Sequence, residues 1–179
     1  AVALSTVLAL AAAVGTYQLL IDDGTARVEA TGDSLSLTPD VTVEPSDAVY
    51  TTFADEEVPF TSVYGTPTVV NFFASTCVPC ITEMPALEEV HQALGDTVAF
   101  LGLAVADRPE DAQALVEDTG VTYPTGQDKD GSVITALGGS FLPTTVLLDA
   151  DGAIVTVHTG QLTADELTEL IADELGISG

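Results

Sequence analysis

Two cysteines lie close together where an apolar run gives way to a helical pattern. Cys77 and Cys80 are the only cysteines in the chain, within the segment FFASTCVPCITEMPALEEV. Apolar residues at spacings of three and four predict a helix from Val78 to Leu94, so Cys77 stands just before the first turn. A thiolate there faces unpaired backbone N–H groups and the positive end of the helix dipole, which lower its pKa. The position is that of a reactive thiol.

Two other uses of the cysteine pair fit the sequence less well. A structural zinc site needs four ligands, and the remaining soft ligands, His91 and His158, lack the usual spacing. A disulfide between cysteines so close in sequence closes a short loop, so it stabilises the fold little. We therefore predict a redox-active pair and no metal site. Cys80, one turn further in and less exposed than Cys77, would resolve a mixed disulfide formed at Cys77.

Glu83 follows Cys80 by three positions on the predicted helix. Residues three apart on a helix are neighbours, with about 5–6 Å between their Cβ atoms. A carboxylate at that position is able to take the proton of Cys80 as this thiol attacks a mixed disulfide. A second interpretation stays open, in which Glu83 is a first-turn acid that complements the helix dipole.

The charge of the chain is strongly one-sided. There are 28 Asp and Glu residues against three Lys and Arg, giving a formal net charge of -25. Such a surface repels nucleic acid and anionic lipid, so we expect no nucleic-acid partner. At about 1 M salt the Debye length falls to roughly 3 Å, which makes the self-repulsion tolerable. The composition resembles that of proteins from extreme halophiles.

The first part of the chain differs in character from the rest. Residues 1–21 carry no charge, and as a helix they would span roughly 31 Å, close to the ~30 Å core of a bilayer. We interpret them as an uncleaved transmembrane anchor; a cleaved signal peptide, with a cleavage site near residues 11–13, is the alternative. Residues 22–47 predict a flexible acidic tether. Residues 48–179 are then expected to form the folded domain.

Strand and helix patterns alternate regularly through that domain. VYTTF and VPFTS predict a β-hairpin, and TPTVVNFFA and TVAFLGLAVA predict buried strands on either side of the cysteine helix. RPEDAQALVEDTG predicts a second helix, and VTYPTGQDKDGSVITALGG predicts a loop followed by a short helix. TTVLLDADGAIVTVHTG predicts two strands, and TADELTELIADELG a closing helix with a capping box of Thr163 and Glu166. The order predicts an α/β sandwich with a mixed sheet flanked by helices.

Three segments resemble the thioredoxin superfamily, and within it the TlpA-like and ResA-like membrane-tethered thiol–disulfide oxidoreductases. VVNFFASTCVPCITEMPAL is similar to the strand, CxPC and acidic-Met-Pro motif of that branch. FLPTTVLLDADGAIV resembles the segment that carries the superfamily's cis-proline, and AVADRPEDAQALVEDTGVTYPTGQDKDG resembles the branch's helix-containing insertion. The resemblance covers roughly residues 48–176 and implies a thioredoxin-like fold.

By that resemblance Cys77 is the nucleophile, Cys80 the resolving thiol and Glu83 an active-site acid. Asn71 stands where thioredoxin itself has a buried acid, which gives Glu83 more reason to accept the proton. No cofactor is implied.

The same resemblance implies a substrate-binding edge. Leu142 and Pro143, the latter at the position of the cis-proline, would face the cysteines and contact the substrate backbone. Thr76 stands where the family commonly has Trp immediately before the first cysteine, and it would border the same surface. The departure at Thr76 concerns substrate docking and redox tuning, the two properties to which the family's Trp contributes.

The activity implied is disulfide exchange with protein substrates by an extracytoplasmic domain, held at the cell membrane by a single helix. The resemblance suggests reduction of exported proteins such as apocytochrome c, with electrons from an integral-membrane thiol carrier. Two alternatives remain. The Thr76–Cys77 step is similar to a peroxidatic cysteine, so a thiol peroxidase on the same fold is one; a copper- or haem-delivery module that binds through the two thiols is the other.

Overall fold

The computed structural model describes residues 44–178, and seven strands in this range form one sheet. The strands are β1 (Val49–Thr51), β2 (Glu57–Pro59), β3 (Thr68–Phe73), β4 (Ala99–Val105), β5 (Thr125–Asp128), β6 (Thr144–Leu148) and β7 (Ile154–Thr159). The α-helices are α1 (Val78–Leu94), α2 (Pro109–Thr119), α3 (Ser132–Ala136) and α4 (Ala164–Leu175). Two short 3-10 helices span Pro45–Asp47 and Phe60–Val63.

The sheet is mixed, with β3 near its centre. The strand order is β2-β1-β5-β4-β3-β6-β7. Strands β3, β4 and β5 are parallel, whereas β6 runs antiparallel to β3, and the hairpins β1–β2 and β6–β7 form the two edges. All six residues of β3 are buried, as expected of a strand covered on both faces. The thioredoxin-like α/β sandwich with a mixed sheet is confirmed.

The side chains of β3 divide between two cores. Val69 and Phe73 belong to the core that packs against α1, α2 and α4, whereas Val70 and Phe72 belong to the core that packs against α3. Because side chains alternate along a strand, Asn71 shares the face of Val69 and Phe73. A polar side chain is thereby placed under α1, the helix that carries the cysteines.

Most of the predicted elements are confirmed, including the limits of α1. Thr163 and Glu166 form the capping box at the start of α4, with Thr163 Oγ1 accepting from the Glu166 N–H and the Glu166 carboxylate accepting from the Thr163 N–H. The second half of VPFTS forms a 3-10 helix instead of continuing β2. The interpretations of residues 1–21 and of most of 22–47 lie outside the described residues. Within residues 44–178, no helix has the length and apolarity to cross a bilayer.

The prediction of a simple loop after α2 is wrong, because residues Thr125–Asp128 form β5. This strand reads TGQD and has no apolar run, yet three of its four residues are buried. A Cβ atom at Gly126 would lie 2.5 Å from the carbonyl oxygen of Thr51, so only glycine fits there. The buried carboxylate of Asp128 accepts hydrogen bonds from the N–H groups of Val133 (3.2 Å) and Ile134 (2.8 Å) at the start of α3. Hydrogen bonds therefore replace the apolar packing that sequence patterns detect.

Candidate active site

Cys77 is positioned by a tight turn between β3 and α1. The Cys77 N–H donates to the carbonyl of Ala74 (3.0 Å), and the Cys77 carbonyl accepts from Ile81 N–H (3.1 Å) as the helix begins. Cys77 is the N-cap of α1, and its sulfur accepts from the backbone N–H of Cys80 at 3.3 Å. Pro79 lies in the first turn, where its missing N–H is not needed. The sulfur therefore lies against the free N–H groups of the helix, as predicted.

The two cysteines form a disulfide and differ in exposure. Their Cα atoms are 5.2 Å apart. Cys77 is half-buried, whereas the exposed fraction of Cys80 is 0%. A substrate sulfur therefore has access to Cys77 and not to Cys80. The sequence predicts the same difference in exposure between the two cysteines.

The segment before β6 lies beside the disulfide turn at the same edge of the sheet. Phe72 of β3 pairs with Thr144 of β6, so the residues that precede Thr144 adjoin those that follow Phe73. The Leu142–Pro143 peptide bond is cis. Pro143 is buried, and Leu142 is half-buried and packs against both cores.

Thr76 is exposed on the turn before Cys77. It follows β3 at the edge of the sheet where Leu142 and Pro143 precede β6. The three residues predicted to border a substrate therefore share one edge of the sheet, and their contact with a substrate stays a prediction.

Glu83 is enclosed in the core beneath the cysteines. Its exposed fraction is 0%, and its carboxylate accepts from Asn71 Nδ2 at 2.7 Å and from the Leu162 backbone N–H at 3.1 Å. Asn71 Nδ2 also donates to Thr145 Oγ1 at 3.3 Å. The acid is therefore held between the central strand β3 and the loop before α4, one turn beyond Cys80.

Burial raises the pKa of Glu83 from 4.5 to about 7, and the hydrogen bonds from Asn71 and Leu162 oppose this rise. A carboxyl group with such a pKa exchanges protons near neutral pH. The interpretation of Glu83 as a first-turn acid is wrong, because α1 begins at Val78 and its first turn contains no acid. The side chain points into the core, away from the helix end.

One hydrogen-bond partner of Glu83 could not be predicted from the sequence. Leu162 contributes a backbone N–H, so its side-chain type gives no signal, and it is distant from Glu83 along the chain. Asn71, by contrast, is a polar residue inside an apolar strand, which is a visible sign of a buried polar contact. Among residues 44–178, no group of three or more His, Cys, Asp or Glu side chains is placed to hold a metal ion.

A disulfide at the start of a helix, beside a cis-proline on a thioredoxin-like sheet, defines a thiol–disulfide oxidoreductase. Comparison with known proteins agrees. The chain belongs to the AhpC/TSA family, whose pattern matches residues 37–157.

Similar proteins carry names of the same class. The chain is 34% identical over 123 residues to the thiol-disulfide oxidoreductase ResA of Halalkalibacterium halodurans, covering 66% of this chain and 70% of that protein. It is 33% identical over 137 residues to the thiol:disulfide interchange protein HelX of Rhodobacter capsulatus, covering 74% and 72%. A solved structure of a secreted Mycobacterium tuberculosis disulfide oxidoreductase, homologous to E. coli DsbE, is 26% identical with a TM-score of 0.64, covering 72% and 97%.

Proposed function

We propose that this enzyme reduces disulfides of exported proteins outside the cytoplasm, with Cys77 as the attacking thiol. The observation that carries the proposal is the half-buried Cys77 in front of the enclosed Cys80 and Glu83. The resemblance to the ResA-like branch supports apocytochrome c as a substrate and a membrane dithiol protein as the electron donor. The uncharged residues 1–21 support attachment to the cell membrane, and the secreted homologue from M. tuberculosis supports an extracytoplasmic location.

The exchange proceeds in two balanced steps. The Cys77 thiolate attacks one sulfur of the substrate disulfide, so a Cys77–substrate disulfide forms and one substrate thiolate leaves. The Cys80 thiolate then attacks the Cys77 sulfur, which forms the Cys77–Cys80 disulfide and releases the second substrate thiolate. The substrate gains two electrons and the pair loses two. A dithiol donor must reduce the pair before the next turnover.

Glu83 serves the second step. Cys80 is enclosed, so its thiol has no direct access to water as a proton acceptor. Glu83 lies three residues further along α1, and its ionised form accepts the Cys80 proton as the thiol attacks. Because its pKa is about 7, the protonated acid is able to release this proton at neutral pH.

The surface around the disulfide fits a polypeptide substrate. Val78 and Phe141 are the most exposed large apolar residues among those described, at 71% and 73%; Val78 lies between the two cysteines, and Phe141 lies just before Leu142 and Pro143. Residues 58–82 and 131–148 contain no charged side chain, although the chain as a whole is highly acidic. Exposed apolar surface of this kind marks a place of contact with another protein.

A direct comparison of two substrates tests this function against the alternative of a thiol peroxidase, which the Thr76–Cys77 step suggested. We expect the reduced protein to reduce a disulfide-linked peptide in a reaction that needs both Cys77 and Cys80. The control is hydrogen peroxide with the same dithiol donor. Peroxide consumption that needs Cys77 but not Cys80, with no peptide reduction, would contradict the proposal. Tight copper binding by the reduced protein without exchange would favour a delivery module.

We also propose that the acidic surface is an adaptation to high salt. Because the repulsion among 28 acids against three bases is screened by ions, the folded state should gain stability as salt increases. Between 0.05 and 2 M KCl we expect a gain of about 3 kcal/mol, or a rise of about 10 °C in the unfolding midpoint measured by circular dichroism. Sorbitol at matched osmolality is the control. A midpoint that stays flat or falls in KCl would contradict the adaptation.

A further inference from the structure

The loop after β4 is joined to the turn that carries Cys77. One carboxylate oxygen of Asp107 accepts from the Ser75 backbone N–H at 2.5 Å, and the other accepts from Ser75 Oγ at 2.9 Å. Strands β3 and β4 are parallel neighbours, so their carboxyl ends lie side by side. Ser75 is two residues before Cys77, so these two hydrogen bonds fix the backbone that leads into the disulfide.

Asp107 is itself firmly oriented. Its Oδ1 also accepts from the Arg108 N–H at 2.8 Å, and its carbonyl accepts from Gln127 Nε2 at 3.5 Å. The preceding residue, Ala106, has a φ of +48°, in the left-handed region that non-glycine residues rarely adopt. Such a conformation costs on the order of 1–3 kcal/mol and persists where the surroundings determine it. The chain therefore bends at Ala106 in a way that presents the Asp107 carboxylate to Ser75.

The negative charge of Asp107 lies close to the reactive sulfur. The Cα atoms of Ser75 and Cys77 are at most about 7.6 Å apart, and the carboxylate contacts Ser75 directly. A nearby carboxylate disfavours a thiolate, so it opposes the stabilisation that the start of α1 provides. A less stable thiolate makes the disulfide harder to reduce and the dithiol a stronger reductant.

Other charged groups near Cys77 do not cancel this effect. The Arg108 guanidinium is bound to Glu110 (2.6 Å) and Asp111 (3.3 Å) on the exposed start of α2. From α1, the ionisable group nearest the pair is Glu83, an acid enclosed behind Cys80. On the β6 side, residues 131–148 are uncharged.

We propose that Asp107 is a positioning residue that fixes the turn before Cys77 and whose charge makes the Cys77–Cys80 dithiol a stronger reductant. The proposal rests on the proposed function in that Cys77 is the attacking thiol. It adds a residue outside the CxxC motif that sets the direction of exchange.

The test is the equilibrium constant between the protein disulfide and glutathione at pH 8, measured with D107N. Asparagine keeps the size of the side chain and an oxygen that accepts from the Ser75 N–H, so the charge is what changes. We expect the equilibrium to move about three- to tenfold toward the protein dithiol, or about 15–30 mV, and Cys77 to be alkylated at lower pH. D118N, which removes an exposed acid near the end of α2, is the matched control and should shift neither.

Two more variants separate charge from position. S75A removes one hydrogen bond and keeps the charge, so it should change the equilibrium less than D107N does. D107S, a second neutral variant, should match D107N and keeps the test available if D107N does not fold. Neutral variants with the wild-type equilibrium constant and alkylation profile would overturn the proposal, as would an equal shift in S75A. Glutathione reports these constants even if the wild type reduces no peptide disulfide, which would refute the proposed function alone.

Discussion

Replacing Glu83 by glutamine is expected to slow the resolution of a Cys77–substrate mixed disulfide by about 100-fold, within the usual range for loss of a general base. The first attack, by Cys77, should be nearly unchanged, since Glu83 is enclosed behind Cys80. The introduced amide fits the site once the Asn71 amide turns over: its oxygen can accept from the Leu162 N–H, and its NH₂ group can donate to Asn71 Oδ1, which has no hydrogen-bond partner among the described residues. Rapid-quench analysis of single turnovers separates the two steps.

The same substitution should stabilise the oxidised protein. Between pH 4.5 and about 7 the folded state keeps a proton on Glu83 that the unfolded state has lost, so the free energy of unfolding falls as pH rises through this window. By about pH 8 the loss is complete and amounts to at most about 3.4 kcal/mol. Glu83→Gln lacks this loss, so it should be the more stable protein at pH 8 and gain nothing at pH 4. Urea titrations at the two pH values measure the difference.

The groups that surround Glu83 stay neutral between pH 4.5 and about 7, so these pH effects are assigned to Glu83 itself. Asn71 from β3 and the Leu162 N–H are neutral hydrogen-bond donors. The Tyr123 phenol is within electrostatic reach, and burial, followed by the charges of Glu83 and Glu88, raises its pKa, so it stays neutral through the window. Glu89→Gln, which removes an exposed acid from the same helix, is the matched control. A wild-type resolution rate in Glu83→Gln would show that the acid does not take the Cys80 proton.

Replacing Cys77 by serine is expected to abolish peptide disulfide reduction, with a loss of at least about 10³-fold, because the alkoxide of serine is not available at neutral pH and Cys80 is enclosed. Cys80→Ser keeps the attacking thiol and loses the resolving one. It should therefore release one substrate thiol per protein and then stop. Release of substrate thiols, followed with a thiol reagent, distinguishes the variants.

As a control, circular dichroism should show that both serine variants are folded. Both serine variants remove the disulfide, so a shared loss of stability cannot explain a difference between them. If Cys77→Ser releases one substrate thiol per protein while Cys80→Ser releases none, the roles of the two cysteines are reversed.

The features of the site that lie within one segment could be predicted from the sequence. The helical spacing locates α1 from Val78 to Leu94, and the position of Cys77 before its first turn follows from that spacing alone. The greater burial of Cys80 follows too, since it shares the helix face of Met84 and Leu87. These are local consequences of the period of the helix.

Contacts made across the fold could not be predicted in the same way. The burial of Glu83 depends on how α1 packs over Asn71 and on a backbone N–H from Leu162, which lies beyond four further strands in the chain. Helix position alone allowed two interpretations, and only packing separated them. The strand β5 was missed for a related reason, because Asp128 is buried by hydrogen bonds and its neighbours are polar. Apolar periodicity carries no information about polar groups that are satisfied at a distance.

The mixed disulfide of Cys80→Ser is the most direct measurement of which sulfur the substrate meets. The reduced variant is mixed with a disulfide-linked peptide, quenched with acid and digested, and the adduct is located by mass spectrometry. Attack by the half-buried Cys77 predicts one peptide per protein, joined to Cys77, and its release on addition of a small dithiol. A protein that stays free of peptide under these conditions, with its Cys77 thiol intact, would contradict the exchange mechanism.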